Sequence, residues 1–515
     1  MARRTGAISG PVAAGTVFAL ILAALGAVAS RADWPVVFGA ADWAVLRFTI
    51  WQALLSALFS VAFAIPVARA LARRRFKGRA LLVTLLGAPF ILPVIVAVMG
   101  LLVVFGRSGW ISQGLELFGL PPLSIYGLEG VVLAHVFFNM PLATRLILQG
   151  WQAIPSEQFR LVGQLGLPPQ VVFRTLEWPV LRQVVPGAFA LIFVLCLTSF
   201  AVALTLGGGP RATTIELAIY QAFRFDFDLG RAAVLSLLQL FVAGSAAVIA
   251  LWVLPPIVVQ MGRDRPLQRW DARRRGARAL DVFWIVLAAG FLLLPLGAIA
   301  TSGLFGLGQM PTQVWNAAWT SFWVATLSTG VLVSLALPIS IWLAQARRGG
   351  AEAFTLIGLA ASPLMIGTGW FILIFPFAAP VDFALVVTAL VNAMMALPFA
   401  VRILIPAMRQ VMTDYGRLSI GLGLSGFALW RIVVLPRVRA PLGFAAGLAA
   451  ALSVGDLGVV ALFSDTERVT LPLQMYRLLG SYRTDAAAGA ALVLLALALT
   501  MFWVCDAWGR RHAEG

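Results

Sequence analysis

Apolar stretches near the ~20 residues that carry a helix across ~30 Å of hydrocarbon follow one another along almost the whole chain. They fall at roughly 11–30, 45–68, 81–105, 127–150, 185–206, 232–256, 281–300, 318–343, 354–376, 383–404, 441–463 and 486–505. Lipid offers no partner for a free amide or carbonyl, so runs of this kind fold as helices. The expected fold is therefore all-α and integral to the membrane, with about twelve transmembrane helices. With 61% hydrophobic and 11% charged residues, the composition lies far from that of soluble domains. Arg3 and Arg4 precede the first run as in a signal peptide, but Ala-Ser-Arg-Ala-Asp at 29–33 is a weak cleavage site, and the run is read as a helix.

The arginines set the orientation, because basic loops stay on the cytoplasmic side. Arg3-Arg4, Arg69 to Arg79, the 145–182 segment, Arg263 to Arg278, Arg347-Arg348, the 402–439 segment and Arg510-Arg511 all fall on one side of a twelve-span path. Both termini are then expected inside, and the net charge of +17 follows from topology. A basic nucleic-acid-binding face is disfavoured, since the charges are divided among loops between spans.

The chain is an internal duplication. Adding 257 to a position carries Pro141, Ala143 and Arg145 onto Pro398, Ala400 and Arg402 without a gap, and Arg174, Pro179 and Arg182 onto Arg431, Pro436 and Arg439. Thr213 and Asp228 still map onto Thr470 and Asp485. Earlier in the chain the offset is 272, from Ser56 and Pro66 to Ser328 and Pro338. Two repeats of six spans each run parallel, related by an axis along the membrane normal, with a pathway expected between them. The expected division is a first transmembrane repeat over 1–256, a basic cytoplasmic linker over 257–280 and a second transmembrane repeat over 281–515.

After the fourth span of each half comes a polar segment, 151–183 and 408–440. Each is expected to hold a short helix, a glycine break, a second short helix and a proline. Ser156 before Glu157 and Thr413 before Asp414 read as helix starts with an acid at the positive end of the dipole. Both segments resemble the cytoplasmic coupling loop of ABC importer permeases, in which a Gly is followed thirteen residues later by a Pro. Gly166 with Pro179 and Gly423 with Pro436 fit that spacing. One departure stands out: the family's loop usually begins with Glu-Ala-Ala six residues before the glycine, where this chain has Arg160 and Arg417. Glu157 and Asp414, one turn earlier on about the same face, are candidate substitutes, with helix capping as the alternative role. With Leu161 and Leu418 these residues make up the expected contact with a partner ATPase. Lys77 is the sole lysine, which rules out a P-loop within this chain; ATP hydrolysis is expected in a separate subunit, in two copies for two loops.

The segments 198–237 and 452–487, the fused length and the coupling loops together resemble the thiamine and thiamine pyrophosphate permeases of ABC importers, within a wider superfamily that includes iron(III) and sulfate permeases. The resemblance implies the type I importer fold, a bacterial inner-membrane location, a periplasmic thiamine-binding protein and a cytoplasmic ATPase as partners. It also implies import of thiamine and its phosphates by alternating access. An iron(III) importer permease is the runner-up, and an ion-coupled secondary transporter, which has no need of paired coupling loops, stands further off. Asp456 is the clearest acid inside an expected span, and such a carboxylate faces a wet cavity or a partner; its repeat partner is Ser199, and Phe200 is placed to stack on a flat cation. A structural role for Asp456 beside Gly455 and Gly458 is the alternative. The outer segments 207–229 and 464–485, with Glu216 and Tyr220 among their polar residues, are expected to dock the binding protein. No catalytic residue, metal site or cofactor is expected, since His135, His512, Cys196 and Cys505 form no cluster.

Overall fold

The computed structural model describes residues 5–32, 38–87, 89, 91–209, 212–253, 275–345, 362–424, 426–463 and 469–510. The first half comprises α1 (Thr5–Arg31), α2 (Ala40–Arg73), α3 (Arg79–Leu85), α4 (Val94–Phe105), α5 (Trp110–Glu116), α6 (Leu128–Gln152), α7 (Ser156–Gln164), α8 (Pro169–Val172), α9 (Trp178–Leu197), α10 (Ala201–Leu206), α11 (Ile215–Arg224) and α12 (Leu229–Val253). The second comprises α13 (Arg275–Gly306), α14 (Gln313–Gln345), α15 (Pro363–Ile374), α16 (Ala384–Gly421), α17 (Gly426–Leu429), α18 (Leu435–Val454), α19 (Gly458–Phe463), α20 (Leu471–Gly480) and α21 (Thr484–Arg510). Among the described residues eleven helices are long and apolar enough to cross a membrane, and the shorter apolar α15 lies where a twelfth crossing is expected. The chain is an all-α, multi-pass membrane protein.

Three of the expected continuous spans are interrupted. The 81–105 run is α3 and α4 with a break between them, where Pro93 caps α4. The 185–206 run breaks after Leu197, and the 441–463 run after Val454. Hydropathy averages over such breaks; Pro93 at the first and Gly455 and Gly458 at the third remove the donor or the rigidity a helix needs, while the second falls at Thr198-Ser199-Phe200. The carbonyls freed at the end of α9 are satisfied from neighbouring helices: Gln52 of α2 donates to the Cys196 oxygen at 3.0 Å and Gln239 of α12 to the Leu197 oxygen at 3.0 Å. The expected span 354–376 is described only from Ser362 onward, and most of the expected linker lies outside the described residues, as do Arg3, Arg4, Arg347, Arg348, Arg511, His512 and Asp465. Helix α13 begins at Arg275, inside the segment read as linker.

Each half packs four long helices together, α2, α6, α9 and α12 in the first and α14, α16, α18 and α21 in the second. The first span of each half crosses to the other: α1 lies against α14 and α15, and α13 against α2 and α4. Glycines permit both approaches. A Cβ at Gly100 of α4 would stand 2.6 Å from the Pro295 carbonyl of α13, and one at Gly369 of α15 would meet the Ala24 backbone of α1. At the arginine-rich end of α2, Arg74 donates to the Asp281 carboxylate of α13 at 2.6 Å, with Arg73 at 3.7 Å from its other oxygen. The exchange fastens the halves to each other at their edges and leaves the seam to the broken helices.

Candidate translocation path and coupling loops

The two expected coupling segments share their second part and differ in their first. In the first half Pro155 interrupts the chain and α7 starts at Ser156, with Glu157 in its first turn. The Glu157 carboxyl is exposed and sits below the usual carboxylate range, held there by a backbone hydrogen bond at its own position, then by the Ser156 hydroxyl, with the nearby Arg160 charge adding to both. In the second half Met412 occupies the position of Pro155, and α16 runs unbroken from Ala384 to Gly421. Thr413 and Asp414 are therefore mid-helix, and the Thr413 hydroxyl donates to the Arg409 carbonyl at 2.9 Å; the expected helix start there is corrected. A proline excludes the helical hydrogen bond and a methionine does not.

From Gly166 and Gly423 onward the halves coincide. Both glycines adopt left-handed backbone, φ +62 and +66, and each closes its helix with a bond from the next amide back five residues, Leu167 to Val162 at 3.3 Å and Leu424 to Ser419 at 2.9 Å. This is the C-terminal stop that glycine makes cheaply. A wider helical turn then follows at Phe173–Glu177 and Trp430–Val434, just ahead of Pro179 and Pro436. Its amide-to-carbonyl bonds skip five residues, from Trp178 to Phe173 and from Leu435 to Trp430, and such a turn absorbs the donor a proline lacks. Leu161 and Leu418 are each 57% exposed, Leu165 and Leu422 are 62% and 65% exposed, and Arg160, Arg417 and Asp414 are also at the surface. Each loop thus presents leucines one turn apart with arginine beside them.

The candidate path residues lie at the breaks. Ser199 and Phe200 sit between α9 and α10, and Asp456 between α18 and α19. The structure brings Phe200 and Asp456, from opposite halves, to one point: the position of a Cβ on Gly458 is 3.6 Å from Phe200 Cδ1, 3.6 Å from Asp456 Oδ1 and 3.9 Å from Leu364 Cγ. Gly458 N–H donates to Asp456 Oδ1 at 3.2 Å, while Oδ2 is buried without a hydrogen-bond partner. Both roles expected for Asp456 are thereby visible in one side chain, one oxygen bonded to opened backbone and one without a hydrogen-bond partner. Ser199, the repeat partner of Asp456, is half-buried. The Phe200 ring also packs edge-on to Tyr220 at 5.3 Å.

The outer segments are not the continuous docking surface expected. Thr213, Glu216 and Tyr220 are 5%, 0% and 7% exposed. The Ile215 amide donates to Thr49 within α2 at 2.9 Å, and the Leu471 amide to Ser321, its counterpart in α14, at 2.8 Å. Each outer segment therefore dips back among the spans before returning. What remains exposed are the returning turns 224–228 and 481–485, where Phe227 and Tyr482 hold left-handed backbone at φ 51 and 59 and are 77% and 92% exposed. Glu216 instead accepts a hydrogen bond from Ser362 of the other half at 2.9 Å. The acid within the apolar run Ile-Glu-Leu-Ala-Ile-Tyr at 215–220 was the available sign that this helix is buried; nothing in the sequence around Ser362 marks its partner.

A cavity of about 410 Å³ lies away from this seam, between α2, α6 and α13, lined by Phe59, Phe63, Trp284 and Phe291 with Glu129 at its edge. Its walls are almost wholly apolar, and they offer a flat cation little beyond ring faces. His135, buried in α6, hydrogen-bonds Ser56 through Nδ1 at 3.1 Å, a tie between neighbouring helices.

Fold and site together define a class: a duplicated, multi-pass transport permease with a seam of broken helices and two protruding loops. A permease described as "Thiamine transport system permease protein ThiP" from Brucella abortus (strain 2308) is 41% identical over 501 residues, 95% of this chain and 92% of the relative. The protein of the same description from Escherichia coli (strain K12) is 40% identical over 527 residues, 98% of this chain and 97% of the relative. The chain belongs to the family of thiamine transport system permease proteins. A "Probable sulfate transport system permease protein cysT" from Helicosporidium sp. is 27% identical over 234 residues, which is 44% of this chain but 86% of that relative, as a single unit aligned to one half of a duplication would be. No family profile matches the chain.

Proposed function

We propose that this chain is the permease subunit of an ATP-binding-cassette importer that moves thiamine and its phosphates from periplasm to cytoplasm by alternating access. The observation that carries the reading is the end-to-end similarity to thiamine permeases, joined to a second, independent one, the pair of matched loops. In this reading the exposed Leu161, Leu165 and Arg160 of one loop and Leu418, Leu422 and Arg417 of the other sit in grooves on two copies of a cytoplasmic ATPase. Gly166 and Gly423 fix the turn by which each helix leaves its groove, and Pro179 and Pro436 fix the return into the membrane. Glu157 and Asp414 add acidic contacts, Glu157 at a helix start and Asp414 along a helix flank. The exposed turns carrying Phe227 and Tyr482 receive a periplasmic thiamine-binding protein.

ATP binding then closes the two ATPases and carries the loops with them, rocking the repeats 1–256 and 281–515 about their seam, with the arginine-rich 257–280 segment held on the cytoplasmic side. The cationic ring passes between Phe200, Ser199 and Asp456. The arginine distribution supports an inner-membrane orientation with both termini inside. No bond of the solute is made or broken by this chain. The test is uptake into proteoliposomes holding the chain, its ATPase and its binding protein, with labelled thiamine, iron(III) and sulfate offered separately. Accumulation of thiamine alone supports the reading; accumulation of iron(III) or sulfate in its place replaces the solute.

A further inference from the structure

Glu216 is a fully buried carboxylate at the seam. It stands in the first turn of α11, Oε2 accepts the Ser362 hydroxyl from the start of α15 at 2.9 Å, and Oε1 is buried with no hydrogen-bond partner. Gln239 lies near and donates through its amide nitrogen to the Leu197 carbonyl at 3.0 Å, with a second amide proton on the side of Glu216. One turn along α11 is Tyr220, whose ring meets Phe200 at 5.3 Å. Two residues beyond Ser362 is Leu364, whose Cγ lies 3.9 Å from the same Gly458 Cβ position that Phe200 and Asp456 approach to 3.6 Å. A buried and a half-buried carboxylate, each with one buried oxygen that lacks a hydrogen-bond partner, thus bracket an aromatic wall where the halves meet.

An ionised carboxylate in such surroundings is costly unless a positive partner arrives. The repeat makes the arrangement more pointed, because the position equivalent to Glu216 is Leu473 and that equivalent to Asp456 is Ser199. Symmetry of the fold needs neither acid. A flat cation fits the pair: its ring against Phe200 and Tyr220, its charge and its N–H donors against the two free oxygens.

We propose that Glu216 is a second acidic contact for the transported cation, released from Ser362 when the halves part and offered to the solute together with Asp456. The proposal rests on the thiamine reading and deepens it by making the solute's charge the feature that is recognised. Ser362 serves as the stand-in donor that keeps Glu216 closed when no solute is present.

The experiment is the concentration dependence of thiamine uptake by the complete complex in proteoliposomes, for the wild type, Glu216→Gln and Glu216→Asp, with copurified ATPase as the measure of assembly. The expected result is a KM raised about tenfold or more by Gln, ~1.4 kcal/mol of lost interaction, and kept within about threefold by Asp. Gln preserves the shape and can still accept from Ser362, so a Gln variant with the wild-type KM would mean a neutral structural group and overturn the proposal. So would equal loss of uptake in both variants at unchanged KM. If the wild type itself takes up no thiamine, the reading beneath the proposal fails, which the wild-type curve alone reveals.

Discussion

Arg69 of α2 and Glu177, at the end of the wide turn in the 151–183 segment, form an ion pair at 2.9 Å in which the Glu177 side chain is fully buried. The guanidinium also lies over the Phe173 ring, 5.1 Å from its centre. In the second half the same two places hold Ile341 and Val434, which join one apolar cluster. The halves thus attach the 151–183 and 408–440 segments to their second long helix by opposite means. On the first side the attachment continues through Arg73 and Arg74 to Asp281, so the end of α2 links the 151–183 segment to the first span of the other half.

Breaking that pair by removing one partner is expected to cost about 3–5 kcal/mol, whereas replacing both by packed apolar groups is close to neutral. The repeat supplies the replacement. Arg69→Ile alone should lower the thermal midpoint of the detergent-solubilised protein sharply, and Arg69→Ile with Glu177→Val should recover most of it. Equal destabilisation by the single and double variants would show that the pair is not the source.

The glycine stops make a second prediction. Valine at Gly166 or Gly423 must hold φ near +62 or +66, at a cost of roughly 1–2 kcal/mol, and it reorients the helix that precedes it. Uptake should fall at least about tenfold in either variant, the factor a ~1.4 kcal/mol shift produces. Gly416→Ala in α16, where a Cβ meets nothing within 4 Å, should leave uptake intact and stabilise by about 0.5–1 kcal/mol.

Leu161 and Leu418 are exposed, so Leu161→Asp and Leu418→Asp should hardly change the melting temperature. Each should weaken ATPase copurification, by about 1.5–3 kcal/mol for a leucine that is buried in a groove. Unchanged copurification in the double variant would remove these leucines from the interface.

Asp456→Asn keeps the bond from Gly458 N–H to Oδ1 and removes the charge. The expected outcome is a KM for thiamine raised about tenfold with assembly intact. A purely structural Asp456 would leave KM where it was.

Much of the architecture was legible because it is written in long patterns. Twelve apolar runs and gapless matches such as Arg174 with Arg431 survive any local irregularity. The glycine stops were legible too, since only a few residues tolerate the left-handed turn that Gly166 and Gly423 make. What escaped was decided by single residues or by tertiary contacts. Met412 in place of Pro155 turns a broken helix into a continuous one. The dip of α11 depends on Thr49 receiving the Ile215 amide, a partner 166 residues away that no local pattern announces. Glu216 looked like a surface acid because polarity was taken as exposure, and its burial follows from a hydroxyl on the other half.

The measurement that bears most directly on the account is accumulation of labelled thiamine inside proteoliposomes of the complete complex, with ATP trapped at the ATPase face and each component omitted in turn. The account predicts accumulation that stops when ATP, the ATPase or the binding protein is left out, and that is lost when either coupling segment, 151–183 or 408–440, is deleted. Accumulation driven by an ion gradient without the ATPase would contradict it.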